Sequence, residues 1–149
     1  KWVIKRTPQN SWEGNPDLDH LRNSDFYVAL LGMDVKAPMG VEWQAAQESV
    51  LTRFAYRKRD VAPSPAASVF ARRSDLGWHH YRTPIEFARD LEERLLRQLL
   101  TGTPGYGLDL SDIGELSSRL KELSEDQDQS DTEDRRGAGA GGVILTSES

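Results

Sequence analysis

The chain has 149 residues, a net charge of −5 and an apolar share of 37 %, enough for one domain with a core but low for a chain folded throughout. It has no cysteine, which excludes disulfides, thiolate catalysis and cysteine zinc sites and fits a reducing cytoplasm. No apolar run approaches the ~18 residues of a membrane span and no secretory signal is visible, so no membrane partner is expected.

In chain order, Trp2-Val3-Ile4-Lys5-Arg6 reads as a short strand ended by Thr7-Pro8. Residues 9–16 gather Asn, Ser, Gly and Pro and read as loop. Residues 17–22 form a short helix or turn with Leu18 and Leu21 on one face. Phe26–Leu31 is apolar at every position, as in a parallel strand covered on both faces or a piece of buried helix; Ser24-Asp25 before it and Gly32 after it favour the strand. Residues 41–49 read as a helix packing through Trp43, Ala45 and Ala46. Residues 50–56 suit a further strand, or a continuation of that helix through Arg57. Ser64-Pro65 is a helix start with Ser at the N-cap and Pro at the first turn, and that helix runs to about Arg73. Gly77-Trp78-His79-His80-Tyr81 is a short strand or loop.

Thr83-Pro84-x-Glu86 carries the cap, proline and carboxylate of a helix N-terminus. The buried stripe of that helix is expected at Ile85, Ala88, Leu91, Leu95, Leu96 and Leu99, with Gly102 as the stop. After a linker at Pro104, Gly105 and Gly107, Ser111-Asp112 opens a last helix with Ile113, Leu116, Leu120 and Leu123 as a narrow stripe for the domain edge or a partner. Residues 125–134 are acidic and polar, and 137–142 are glycine and alanine, so no structure is expected there. The alternation of strands and helices predicts an α/β three-layer sandwich with a parallel sheet over residues 1–102, a linker and amphipathic helix over 103–124 and a flexible tail over 125–149. The strand-like opening after Lys1 and the apolar run Val143-Ile144-Leu145-Thr146 read as the ends of a segment of a longer protein with further domains.

Glu42 falls where a helix follows a strand. Open α/β sheets bind ligands beyond the carboxyl ends of their strands, and a carboxylate there can stabilise an oxocarbenium-like centre or attack an anomeric carbon. The alternative uses the same physics: an acidic side chain in a helix's first turn is favourable against the macrodipole. At the end of the first strand-like run Arg6 suits a phosphate, and in the loop after it Trp12 suits stacking on a base or nicotinamide, or both are half-buried surface residues.

Ser24-Asp25, the run to Gly32, Asp34 in the loop, and Gly40-Val41-Glu42-Trp43-x-Ala45-Ala46 resemble the Toll/interleukin-1 receptor-like (TIR-like) and nucleoside 2-deoxyribosyltransferase-like superfamily. The likeness is greatest to TIR-like domains on bacterial signalling and defence NTPases. It implies a flavodoxin/TIR-like sheet and Glu42 as the carboxylate that cleaves an N-glycosidic bond in a nucleoside or NAD. It also implies Asp34 near the ligand, and Asp25 in a more structural role at the start of the strand. The superfamily opens with a strand, a ligand-facing loop and a helix, whereas a single strand precedes Asp17 here, so the first strand–helix unit is expected to be incomplete in this segment. NAD enters as substrate, and no cofactor is expected. The same family likeness supports two other readings: a self-associating interaction module acting through residues 113–123, and a nucleotide sensor that binds without cleaving.

His79-His80 in a strand would point to opposite faces, so a shared zinc ion is not expected. Arg53, Arg57, Lys58, Arg59, Arg72 and Arg73 are the one basic concentration, read as a nucleotide-phosphate patch or a solvated surface. Without a recognition-helix or zinc-finger signature, nucleic acid is not an expected partner.

Overall fold

The computed structural model describes residues 3–4, 17–73, 77–102 and 105–137. The chain divides into two compact units, Lys1–Phe87 and Ala88–Ser149.

The first unit is an α/β sandwich built on a three-stranded parallel sheet. Helix α1 (Leu18–Arg22) opens with Asp17, whose carboxylate accepts the His20 N–H at 3.0 Å and also meets the His20 ring. Strand β1 (Phe26–Leu31) pairs with β2 (Thr52–Lys58) in a register running from Phe26 opposite Thr52 to Leu31 opposite Arg57. Strand β3 (His79–Tyr81) continues the sheet beside the end of β2. The order β1-β2-β3 places each strand beside its chain neighbour. Of the expected first strand, Trp2, Lys5 and Arg6 lie outside the described residues, while Val3 and Ile4 are exposed and not in a strand.

Helix α2 (Ala37–Glu48) begins four residues earlier than the sequence reading placed it. Lys36 takes the extended N-cap conformation without a side-chain cap bond, and Pro38 supplies a φ already suited to a first turn. The helix ends at Ser49 in a Schellman arrangement: Val50 N–H donates to Gln47 C=O at 3.1 Å, and Leu51 N–H donates to Ala46 C=O at 3.0 Å. Closing that loop forces Val50 into the left-handed region at φ 55°, an unusual place for a β-branched residue. The sharp stop releases the chain into β2 and rules out the continuous helix through Arg57. Helix α3 (Pro65–Arg73) is capped as Ser64-Pro65 predicts, with the Ser64 hydroxyl accepting from Ala67 N–H at 3.1 Å.

Alternation along the strands sorts the sheet's two faces. Tyr27, Ala29 and Ala55 join Trp43 and Ala46 of α2 in the buried core, flanked by Phe70 of α3 and by Trp78. Small residues at Ala29, Ala46 and Ala55 let helix and sheet approach closely, and Trp43 fills the space between. Its ring stacks on Trp78 at 6.2 Å between centroids and meets Phe70 and Tyr27 edge-on. Burying a side chain of this size stabilises the fold by about 3 kcal/mol. On the opposite face Phe26 meets Phe54 at 6.0 Å, Tyr56 is met edge-on by Phe87 at 5.0 Å, and Leu30 stays 45 % exposed.

Helix α4 (Pro84–Thr101) starts at its predicted cap: Glu86 N–H donates to the Thr83 hydroxyl at 3.2 Å, and the Glu86 carboxylate accepts from Arg82 N–H at 2.8 Å. Ile85, 77 % exposed, and Ala88, also exposed, are not part of the buried stripe. Two residues on a helix are about 200° apart, so Phe87 reaching Tyr56 turns Ile85 away.

In the second unit Leu96 and Leu123 are buried. Arg119 of α5 (Leu110–Gly137) forks onto Glu92 of α4 at 2.7 and 3.2 Å, and Arg89 reaches Asp126 at 3.1 Å, so the two helices run antiparallel. The sequence stops this helix near residue 124, but its backbone continues to Gly137 through the acidic run. Glu, Gln and Arg are good helix formers, so a polar run is compatible with an exposed helix as well as with disorder.

Candidate functional site

Helix α2 brings Glu42 against the core strand from one side. Because the helix starts at Ala37, Glu42 sits in its second turn, about 7.5 Å along the axis, where the N-terminal dipole has faded. The expectation that the helix opens with this carboxylate is therefore corrected, and with it the first-turn capping explanation. Glu42 is half-buried, and its Oε2 accepts a hydrogen bond from the Tyr27 hydroxyl at 3.3 Å. Tyr27 is the second residue of β1, so this contact ties Glu42 to the amino half of the strand rather than to its carboxyl end. Burial, and then the charge and hydrogen bond of Glu42, hold the Tyr27 phenol well above its ordinary range. The phenol is thus a neutral donor at any physiological pH.

Asp34 lies in the loop after β1, at the carboxyl edge of the sheet. Its Oδ1 accepts from Val35 N–H at 2.9 Å and from the Ser64 hydroxyl at 2.6 Å. Ser64 N–H in turn donates to Met33 C=O at 2.7 Å. The Ser64 bond first, and the Val35 bond second, hold the Asp34 carboxyl below its ordinary range. Asp34 thus ties the β1–α2 loop to the loop that opens α3. Glu42 and Asp34 have different partners in different parts of the sheet. Trp12 and Arg6, the other two candidate residues, lie outside the described residues.

Two partners escaped the sequence reading. Tyr27 was hidden inside an apolar run, where its hydroxyl was the one polar signal. Ser64 was legible as a helix cap but carried nothing to announce Asp34 as its second contact.

The basic residues come from two elements, β2 with the turn after it and the end of α3. Arg53 lies over the Trp43 ring at 5.1 Å. Arg59 follows β2 at the carboxyl edge, beside an exposed Asp60–Arg82 pair at 3.5 Å. Arg72 and Arg73 end α3, which runs back toward the amino edge. His79 is half-buried against Tyr56 at 5.6 Å and His80 is exposed, as strand alternation predicts. Among the described residues no three His, Asp or Glu side chains are grouped to hold a metal ion, and no helix is long and apolar enough to cross a membrane. In the second unit Leu99, Leu100, Tyr106, Leu108 and Ile113 line a shallow pocket of about 220 Å³.

Compared with known proteins, the chain matches no family model, no curated protein and no solved structure.

Proposed function

We propose that the chain is a TIR-like domain of a cytoplasmic signalling or defence protein, acting on the N-glycosidic bond of NAD or a related nucleotide with Glu42 as its key carboxylate. The observation that carries the reading is the setting of Glu42: half-buried, past the capping turn, and hydrogen-bonded by the phenol of a buried tyrosine. A carboxylate with no cap to make, held on a rigid helix beside the core, is suited to meeting a developing positive charge at a ribosyl carbon. The bond between the ribose anomeric carbon and the nicotinamide nitrogen breaks. Nicotinamide leaves neutral with the bonding pair, and water adds to the carbon and releases a proton. Purified protein incubated with NAD is expected to release nicotinamide, and Glu42→Ala to abolish the release. Equal release by the mutant sinks the mechanism.

A second reading, a non-catalytic module that associates with a second copy, is favoured by the 45 % exposure of Leu30 within a core strand and by the engagement of Asp34 with Ser64. It expects concentration-dependent light scattering that Leu30→Asp removes, and no nucleotide turnover in the parent protein.

A further inference from the structure

We propose that Tyr27 is the positioning residue for Glu42: its hydroxyl fixes the orientation of the carboxylate from inside the core. Its role in turnover rests on the N-glycosidic reading above, whereas the fixing of the carboxylate does not. Tyr27 is 8 % exposed, and its ring is held edge-on against Trp43 at 6.3 Å. The phenol oxygen therefore has a fixed place, set by a strand register and an aromatic contact. Glu42 is the next residue to Trp43 on α2, so one helix presents both the ring that holds Tyr27 and the carboxylate that Tyr27 reaches. A glutamate on a helix surface ordinarily samples several rotamers. Here a donor at 3.3 Å selects those that keep Oε2 toward the strand.

The simpler account is that Glu42 serves Tyr27, supplying an acceptor to a buried phenol. The two accounts part on a neutral replacement. An amide oxygen also accepts from a phenol, though more weakly than a carboxylate does, so a Glu42 that only serves Tyr27 is replaceable by Gln at a small cost in stability. A positioned carboxylate is not replaceable in that way.

Three forms of the whole chain test the inference: the parent, Tyr27→Phe and Glu42→Gln. Tyr27→Phe keeps the ring and its packing and removes the hydroxyl. With NAD as the probe, kcat for nicotinamide release is expected to fall about tenfold to a hundredfold with KM unchanged, the signature of a displaced reacting group. In the same samples the carbon NMR resonance of the Glu42 carboxylate, assigned by its loss in Glu42→Gln, is expected to move in Tyr27→Phe. A parent that releases no nicotinamide removes the proposed function, and the resonance then decides the inference alone. An unmoved resonance overturns it in either case. A moved resonance with undiminished kcat overturns the positioning role.

Discussion

Ser64→Ala probes the junction between two loops at the carboxyl edge of the sheet. The hydroxyl does two things: it accepts from Ala67 N–H at 3.1 Å, capping α3, and it donates to Asp34 at 2.6 Å. Loss of a serine N-cap destabilises by about 1 kcal/mol, which lowers the melting temperature of a domain of this size by roughly 4 °C. The Asp34 bond adds to this in a pH-dependent way. Asp34 has its pKa depressed in the folded protein by Ser64 and then by Val35. Its stabilising contribution is therefore complete above the unfolded pKa and is lost as pH falls through the lower folded one. The gap between parent and Ser64→Ala is thus widest near neutrality and shrinks toward the cap contribution alone below about pH 4. Thermal melts followed by circular dichroism at neutral and acid pH, with Asp34→Ala as the variant that spares the cap, measure both parts. A Ser64→Ala melt that coincides with the parent at neutral pH refutes the reasoning. A gap that widens in acid refutes the part assigned to Asp34.

Val50→Gly is expected to stabilise the protein by about 1 kcal/mol, since the residue occupies φ 55° at the end of α2, where a β-branched side chain is strained and glycine is not; a lowered urea midpoint would count against the Schellman geometry. Gly102→Ala is expected to cost about 1–3 kcal/mol, because a Cβ there would collide with the Gln98 carbonyl oxygen and crowd its side-chain amide. Unchanged chemical denaturation of that variant would show that the end of α4 gives way easily.

Elements that announce themselves by local chemistry were legible. Six apolar residues between Asp25 and Gly32 read as a covered strand, and Ser64-Pro65 and Thr83-Pro84-x-Glu86 read as helix starts because the groups that cap them are those residues themselves. The start of α2 was not legible, since Lys36 makes no side-chain cap bond and Gly40 resembles a break rather than helix interior. Its end was obscured because valine stands where glycine usually marks the left-handed turn. The length of α5 was missed because a run of acidic and polar residues looks alike as an exposed helix and as irregular chain. At the candidate site, position after a strand singled out Glu42 and the family resemblance singled out Asp34, but neither reached Tyr27 or Ser64. Their pairing depends on strand register and on where the helices lie on the sheet, which one-dimensional spacing does not encode.

The strand order β1-β2-β3 also bears on how the chain acquires its structure. Each described strand pairs only with its neighbours in chain order, and the helix between two strands lies on the sheet as soon as the second strand arrives. Among the described strands pairing therefore does not wait for a remote segment, and the entropy lost in closing each crossover is that of one strand–helix step. A nascent chain can lay down β1, α2 and β2 as a unit while α3 and β3 are still being made. The Tyr27–Glu42 contact belongs to that first increment, so it is complete before the Asp34–Ser64 junction has its second partner.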